Sequence, residues 1–202
     1  MSAKLKIFAC LVFLVAASAV YFSGFLEGKR TYVLGIIANF KGKNAQLGGE
    51  SLNSFNLAYD DYRRAHPDGF ELQILPVDDS WDMAKIRSAY LSIADRADLL
   101  ITLTSSTNLM IIREDVLARP QLVHALIGPS TTALSGQADN MVRNIADVEQ
   151  EQRQIAAFLQ SQGFRKVLVA LENEYNPKYT REALEKLRAH ATSLEIDVAA
   201  FS

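Results

Sequence analysis

Leu99-Leu100-Ile101-Thr102-Leu103 runs straight into Thr104-Ser105-Ser106-Thr107, and Leu122-Val123-His124-Ala125-Leu126-Ile127 runs into Gly128-Pro129-Ser130-Thr131-Thr132. Each apolar run has the length and β-branched content of a strand buried on both faces, the pattern of a parallel sheet. In an open α/β sheet, ligands sit at the carboxyl ends of the strands, where loops and helix N-termini converge. Short hydroxyl side chains at that edge supply neutral donors and acceptors and leave room for a polar guest. Two adjacent clusters therefore predict a small-molecule site built from hydroxyls and backbone amides.

The same alternation extends on both sides. Tyr32–Ala38 is an apolar strand, followed by a loop over Asn39–Gly49. Leu52, Phe55, Ala58, Tyr59 and Tyr62 recur at helical spacing and stop before Pro67-Asp68-Gly69. Phe70–Val77 reads as the second strand, breaking at Asp78-Asp79-Ser80, and Met83, Ile86, Tyr90, Ile93 and Ala94 mark the next helix. After the two opening strands, Leu109–Leu117 is helical, Met141-Val142 is a short extended piece, and a long helix through Ile155–Leu159 ends at Gly163. Val167–Leu171, a helix over Tyr179–His190 and a strand within Leu194–Phe201 complete the pattern. Strand–helix repetition of this kind predicts a parallel sheet covered by helices on both faces.

Composition narrows the function. With 202 residues, 49% hydrophobic and 22% charged, the chain is ordinary globular protein. The near-balance of 21 basic and 23 acidic residues leaves no electrostatic footprint for nucleic acid. Cys10 is the single cysteine, so no internal disulfide or cysteine zinc site can form. Neither a nucleophile elbow nor a phosphate-cradling glycine loop is present, and His66, His124 and His190 fall in unrelated elements. No catalytic residue, metal or cofactor is expected. Asp78-Asp79 reads as a solvated strand end, and Trp81 as packing or a cleft edge.

At the N-terminus, Lys4 and Lys6 precede the uncharged run Ile7–Leu26. Ala17-Ser18-Ala19 suits signal-peptide cleavage before Val20, whereas the length of the run suits a membrane anchor. On either reading residues 1–30 are an export or anchoring segment, and the body lies outside the cytoplasm.

The order of elements and several local stretches resemble the N-terminal half of a type I periplasmic binding protein, in the manner of the branched-chain amino-acid receptors. Leu34-Gly35-Ile36 with Gly42, Gly48 and Ala58-Tyr59-Asp60-Asp61 is similar to the opening strand, glycine loop and first helix of that family. Ile127–Ser135, the crossing at Val142-Arg143, Asp147 and Gln150, and Asn176-Pro177-Lys178-Tyr179 follow in the family's order. The resemblance implies a three-layer α/β first lobe over 31–145, complete or nearly so, and the start of a second lobe over 146–202. It also implies a cleft lined by Ser105, Ser106, Ser130, Thr131, Thr132 and Tyr179. Helix capping competes with ligand contact for Ser105 and Ser106, and helix-start packing competes for Tyr179. The implied function is binding of a small polar solute such as an amino acid, delivered to an ABC permease. The alternative is the sensor domain of a membrane signalling protein. Leu47 stands where the family often has an aromatic lid, and the later strands of the second lobe are missing from the sequence.

Overall fold

The structure, a computed structural model, describes residues 29–42, 44–172, 174 and 176–201. The apolar run over 7–26 and the expected N-terminal helix lie outside those residues. Among the described residues no helix is long and apolar enough to cross a membrane.

Five strands, β1 (Thr31–Ala38), β2 (Glu71–Asp78), β3 (Leu99–Leu103), β4 (Val123–Ile127) and β5 (Met141–Arg143), form a parallel sheet in the order β2-β1-β3-β4-β5. Pro76, which has no N–H for a ladder, sits on β2 at the sheet edge. The central strands are buried on both faces because alternate residues feed two different cores. Ile37, Leu100 and Leu126 pack with Ile86, Tyr90 and Ile93 of α2 (Ile86–Ile93) and Leu109 and Ile112 of α3 (Ser106–Leu117). Leu34, Ile36 and Ile101 pack on the opposite face with Leu52 and Phe55 of α1 (Ala45–Ala65). The result is the expected three-layer α/β arrangement.

A second parallel pair, β6 (Lys166–Ala170) and β7 (Asp197–Phe201), carries α4 (Val148–Ser161) and α5 (Pro177–Ser193). Asp147 caps α4 by accepting the Gln150 N–H at 3.0 Å, and Gly163 closes the helix with φ +75°. Pro177 opens α5 in the first turn, where a missing N–H costs nothing.

Several boundaries move from their sequence positions. The loop expected over Asn39–Gly49 is helical from Ala45. Position 48, inside that helix, requires glycine because a Cβ there would lie 2.0 Å from the Asn39 carbonyl oxygen. The third helix starts at Ser106 rather than Leu109, since Ser105 caps it. Met83 is not on the inner face of a helix: it precedes α2 in a turn and is exposed. The last strand begins at Asp197, after Glu195 at φ +57°.

Candidate functional site

The hydroxyl clusters begin as local structure. The Ser105 side chain accepts the Asn108 N–H at 3.1 Å, holding the first turn of α3. Ser106, fully buried, turns its hydroxyl toward the end of β4 and accepts the Ser130 N–H at 3.1 Å, which ties the two clusters together. Between them Gly128 runs at φ +104°, with the Thr104 carbonyl oxygen 2.9 Å from where a Cβ would stand, so a side chain there would push β4 off β3.

The remaining hydroxyls face the second sheet's helices. The Asn176 side-chain oxygen accepts the Thr107 N–H at 3.3 Å and the Thr107 hydroxyl at 3.2 Å, while the Lys178 N–H donates to that hydroxyl at 3.0 Å. The Glu182 carboxylate accepts the Thr131 hydroxyl at 2.6 Å, the Thr132 N–H at 2.8 Å and the Thr132 hydroxyl. Burial raises the Glu182 pKa, but these bonds and the charge of Lys178 outweigh it and hold the group below its ordinary value. The Val148 N–H donates to the Ser130 carbonyl at 2.7 Å, completing the crossing.

Next to these contacts lies a cavity of about 390 Å³ lined by Gly128, Ser130, Ile145, Ala146, Glu151, Asn176 and Tyr179. Tyr179 donates its hydroxyl to both Glu151 oxygens at 3.1 Å. Burial and the neighbouring carboxylate push the Tyr179 pKa up to about 12, so the phenol remains a donor. Ser130 is only 8% exposed. Of the six predicted residues, Ser130 and Tyr179 line this cavity. Thr131 and Thr132 are bonded to Glu182, and Ser105 and Ser106 are bonded within the wall.

The acidic pair is not a solvated strand end. Asp79 is fully buried, accepting the Trp81 N–H at 2.9 Å and the Thr104 hydroxyl at 2.8 Å, and burial raises its pKa. Asp78 accepts from Phe40, Lys41 and both the N–H and the hydroxyl of Ser80. The pair thus stitches the loops after β1 and β2 together. No group of three or more His, Cys, Asp or Glu residues that could hold a metal occurs among the described residues.

A topological switch point lies between β1 and β3, where the chain leaves in opposite directions, and the cavity opens on the same sheet edge under β4. A similar fold recurs in solved proteins. A periplasmic binding protein type 1 from Bordetella pertussis Tohama I superposes with a TM-score of 0.72 at 14% identity, covering 85% of this chain and 49% of that one. The chain has the fold of a type I periplasmic binding protein lobe. A solute binding protein of an ABC transporter from Rhodopseudomonas palustris BisB5, solved with 3,4-dihydroxybenzoic acid, gives 0.69 at 15% identity, covering 84% of this chain and 46% of that one. A leucine binding protein, LivK, from Thermotoga maritima gives 0.64 at 14% identity, with 84% and 48% covered. The chain therefore spans about half the length of the solved structures it matches. No family model and no curated protein sequence matches it.

Sequence reasoning missed Asn176 as a partner of Thr107, and missed Glu151 and Glu182 altogether. Glu182 carries a usable signal: it follows Tyr179 by three positions on α5, so the two share a helix face. Glu151 lies in the first turn of α4, where a carboxylate reads simply as a favourable dipole partner.

Proposed function

We propose that this chain is the solute-recognising part of an extracytoplasmic binding protein that delivers a small polar solute to an ABC-type permease. Residues 31–145 and 146–202 serve as its two lobes. The observation that carries the reading is the cavity between them, to which one side supplies Ser130 and the other supplies Glu151 and Tyr179. Such a site is completed only when both sides engage the guest, so a bound solute favours the closed arrangement by its differential contacts.

Ser130 and Tyr179 touch the solute in this reading, while Ser105, Ser106, Thr131 and Thr132 shape the wall and hold the two sides together. The site binds and releases; it does not transform its guest. Structural neighbours described as ABC-transporter solute-binding proteins support transport over a membrane-sensor role.

The test is a thermal-shift and calorimetric screen of the full chain against small amino acids, organic acids and amines. A solute at a hundredfold excess over its Kd adds about 2.7 kcal/mol to stability, which raises Tm by roughly 5–10 °C for a chain of this size. Ser130→Ala and Tyr179→Phe should both reduce that rise. Equal shifts in the wild type and both variants would place binding elsewhere.

A further inference from the structure

Two carboxylates determine what charge a guest can carry. The Thr131–Thr132 cradle offers two hydroxyls and a backbone N–H, the donor set a solute carboxylate would use. Glu182 already fills it from α5. An acidic solute must therefore displace a tethered carboxylate that is held by three hydrogen bonds at no translational cost.

The cavity beside that cradle is built for the opposite charge. Among the described residues that line it the one charged side chain is Glu151, with no lysine, arginine or histidine among them. Nearby cations are engaged elsewhere. Arg143 donates to the Thr131 carbonyl at 3.0 Å and the Ser135 hydroxyl at 2.7 Å, and Lys186 pairs with Glu149 at 2.9 Å. Lys178 acts on Glu182. Ser130, more than nine-tenths buried, lines this same cavity and offers a further polar contact. A carboxylate entering here would meet like charge and give up hydration with no cation to replace it.

Building on the solute-binding reading above, we infer that the cleft takes a small organic cation lacking a carboxylate, a primary amine or amidinium, with Glu151 as its counter-ion. An N–H donor on the guest makes a charge-assisted bond to Glu151, oriented by the Tyr179 hydroxyl, and a second to Ser130. The aromatic ring of Tyr179, on the same wall, is a compatible surface for a cation.

The matched probes are benzylamine and benzoate, which share a ring and differ in charge, with putrescine and leucine as a second pair. Isothermal titration of the full chain should show binding of benzylamine or putrescine and none of benzoate. Glu151→Gln, isosteric and at the cavity wall, should weaken amine binding at least about tenfold while leaving the far-UV spectrum unchanged. If benzoate or leucine binds instead, the charge assignment is wrong and the solute-binding reading stands. Amine binding that survives Glu151→Gln overturns Glu151 as the counter-ion. Should none of the four probes bind, both the charge assignment and the solute-binding reading lose their support.

Discussion

Glu182 on α5 reaches across to Thr132, beyond the end of β4, and accepts both its backbone N–H at 2.8 Å and its hydroxyl. The two residues lie fifty positions apart and belong to different sheets' surroundings, yet this pair and the Thr131 hydroxyl form a single buried polar lock. Because hydrogen bonds to a charged acceptor are worth more than neutral ones, Glu182→Ala should lower stability by about 2 kcal/mol in urea denaturation. A cycle pairing Glu182→Gln with Thr132→Val should show a coupling of about 1 kcal/mol, and additivity would mean that the two do not act together.

Ser106→Ala is expected to damage the fold before it touches affinity. It leaves the buried Ser130 N–H without its acceptor, a loss of about 1–2 kcal/mol. Ser105→Ala should cost about 1 kcal/mol through the lost cap on α3. Chemical denaturation of both variants distinguishes these structural effects from a change in ligand affinity alone.

Two adjacent glycines in α1 make opposite predictions. A Cβ at Gly48 meets the Asn39 carbonyl, so Gly48→Ala should destabilise by about 1–3 kcal/mol. Gly49 has nothing within 4 Å of its would-be Cβ, so Gly49→Ala should stabilise by about 0.5–1 kcal/mol. Thermal melts of the two variants should move in opposite directions.

Acid weakens the fold through His124, which is fully buried on β4, hydrogen-bonded to Thr102 and stacked on Tyr90 at 6.0 Å. Burial lowers its pKa from 6.5 to about 4. The unfolded chain therefore binds the proton first, and stability falls as pH drops from about 6.5 through 4. The full effect is about 3 kcal/mol. Urea midpoints measured between pH 7 and 4 should show this decline. His124→Gln should flatten it between about pH 6.5 and 5.5, above the range where the depressed carboxylates Asp78 and Glu182, with unfolded values of 3.8 and 4.5, begin to contribute.

Much of the architecture was legible residue by residue. The apolar runs at Leu34–Ala38 and Leu99–Leu103 could be buried only as central parallel strands, and Leu52, Phe55, Ile86, Tyr90 and Ile93 marked the covering helices by spacing alone. The hydroxyl clusters were correctly placed at the sheet's carboxyl edge, but the use of each hydroxyl was not legible. Ser105 and Ser130 look alike in sequence; one caps a helix and the other faces a cavity.

Local pattern determined what is local: strand burial, helix periodicity and the turn at Gly128. Periodicity reports which way a side chain points within its own element, and backbone conformation is set by neighbours in sequence. Tertiary structure alone decided the rest: that position 48 must be glycine because the Asn39 carbonyl crosses it, that Asp79 is buried, and that Glu182 meets Thr131 and Thr132. The Glu182 pairings depend on how the β6–β7 unit docks against the five-stranded sheet, a relation between residues fifty or more positions apart that no short window of sequence contains.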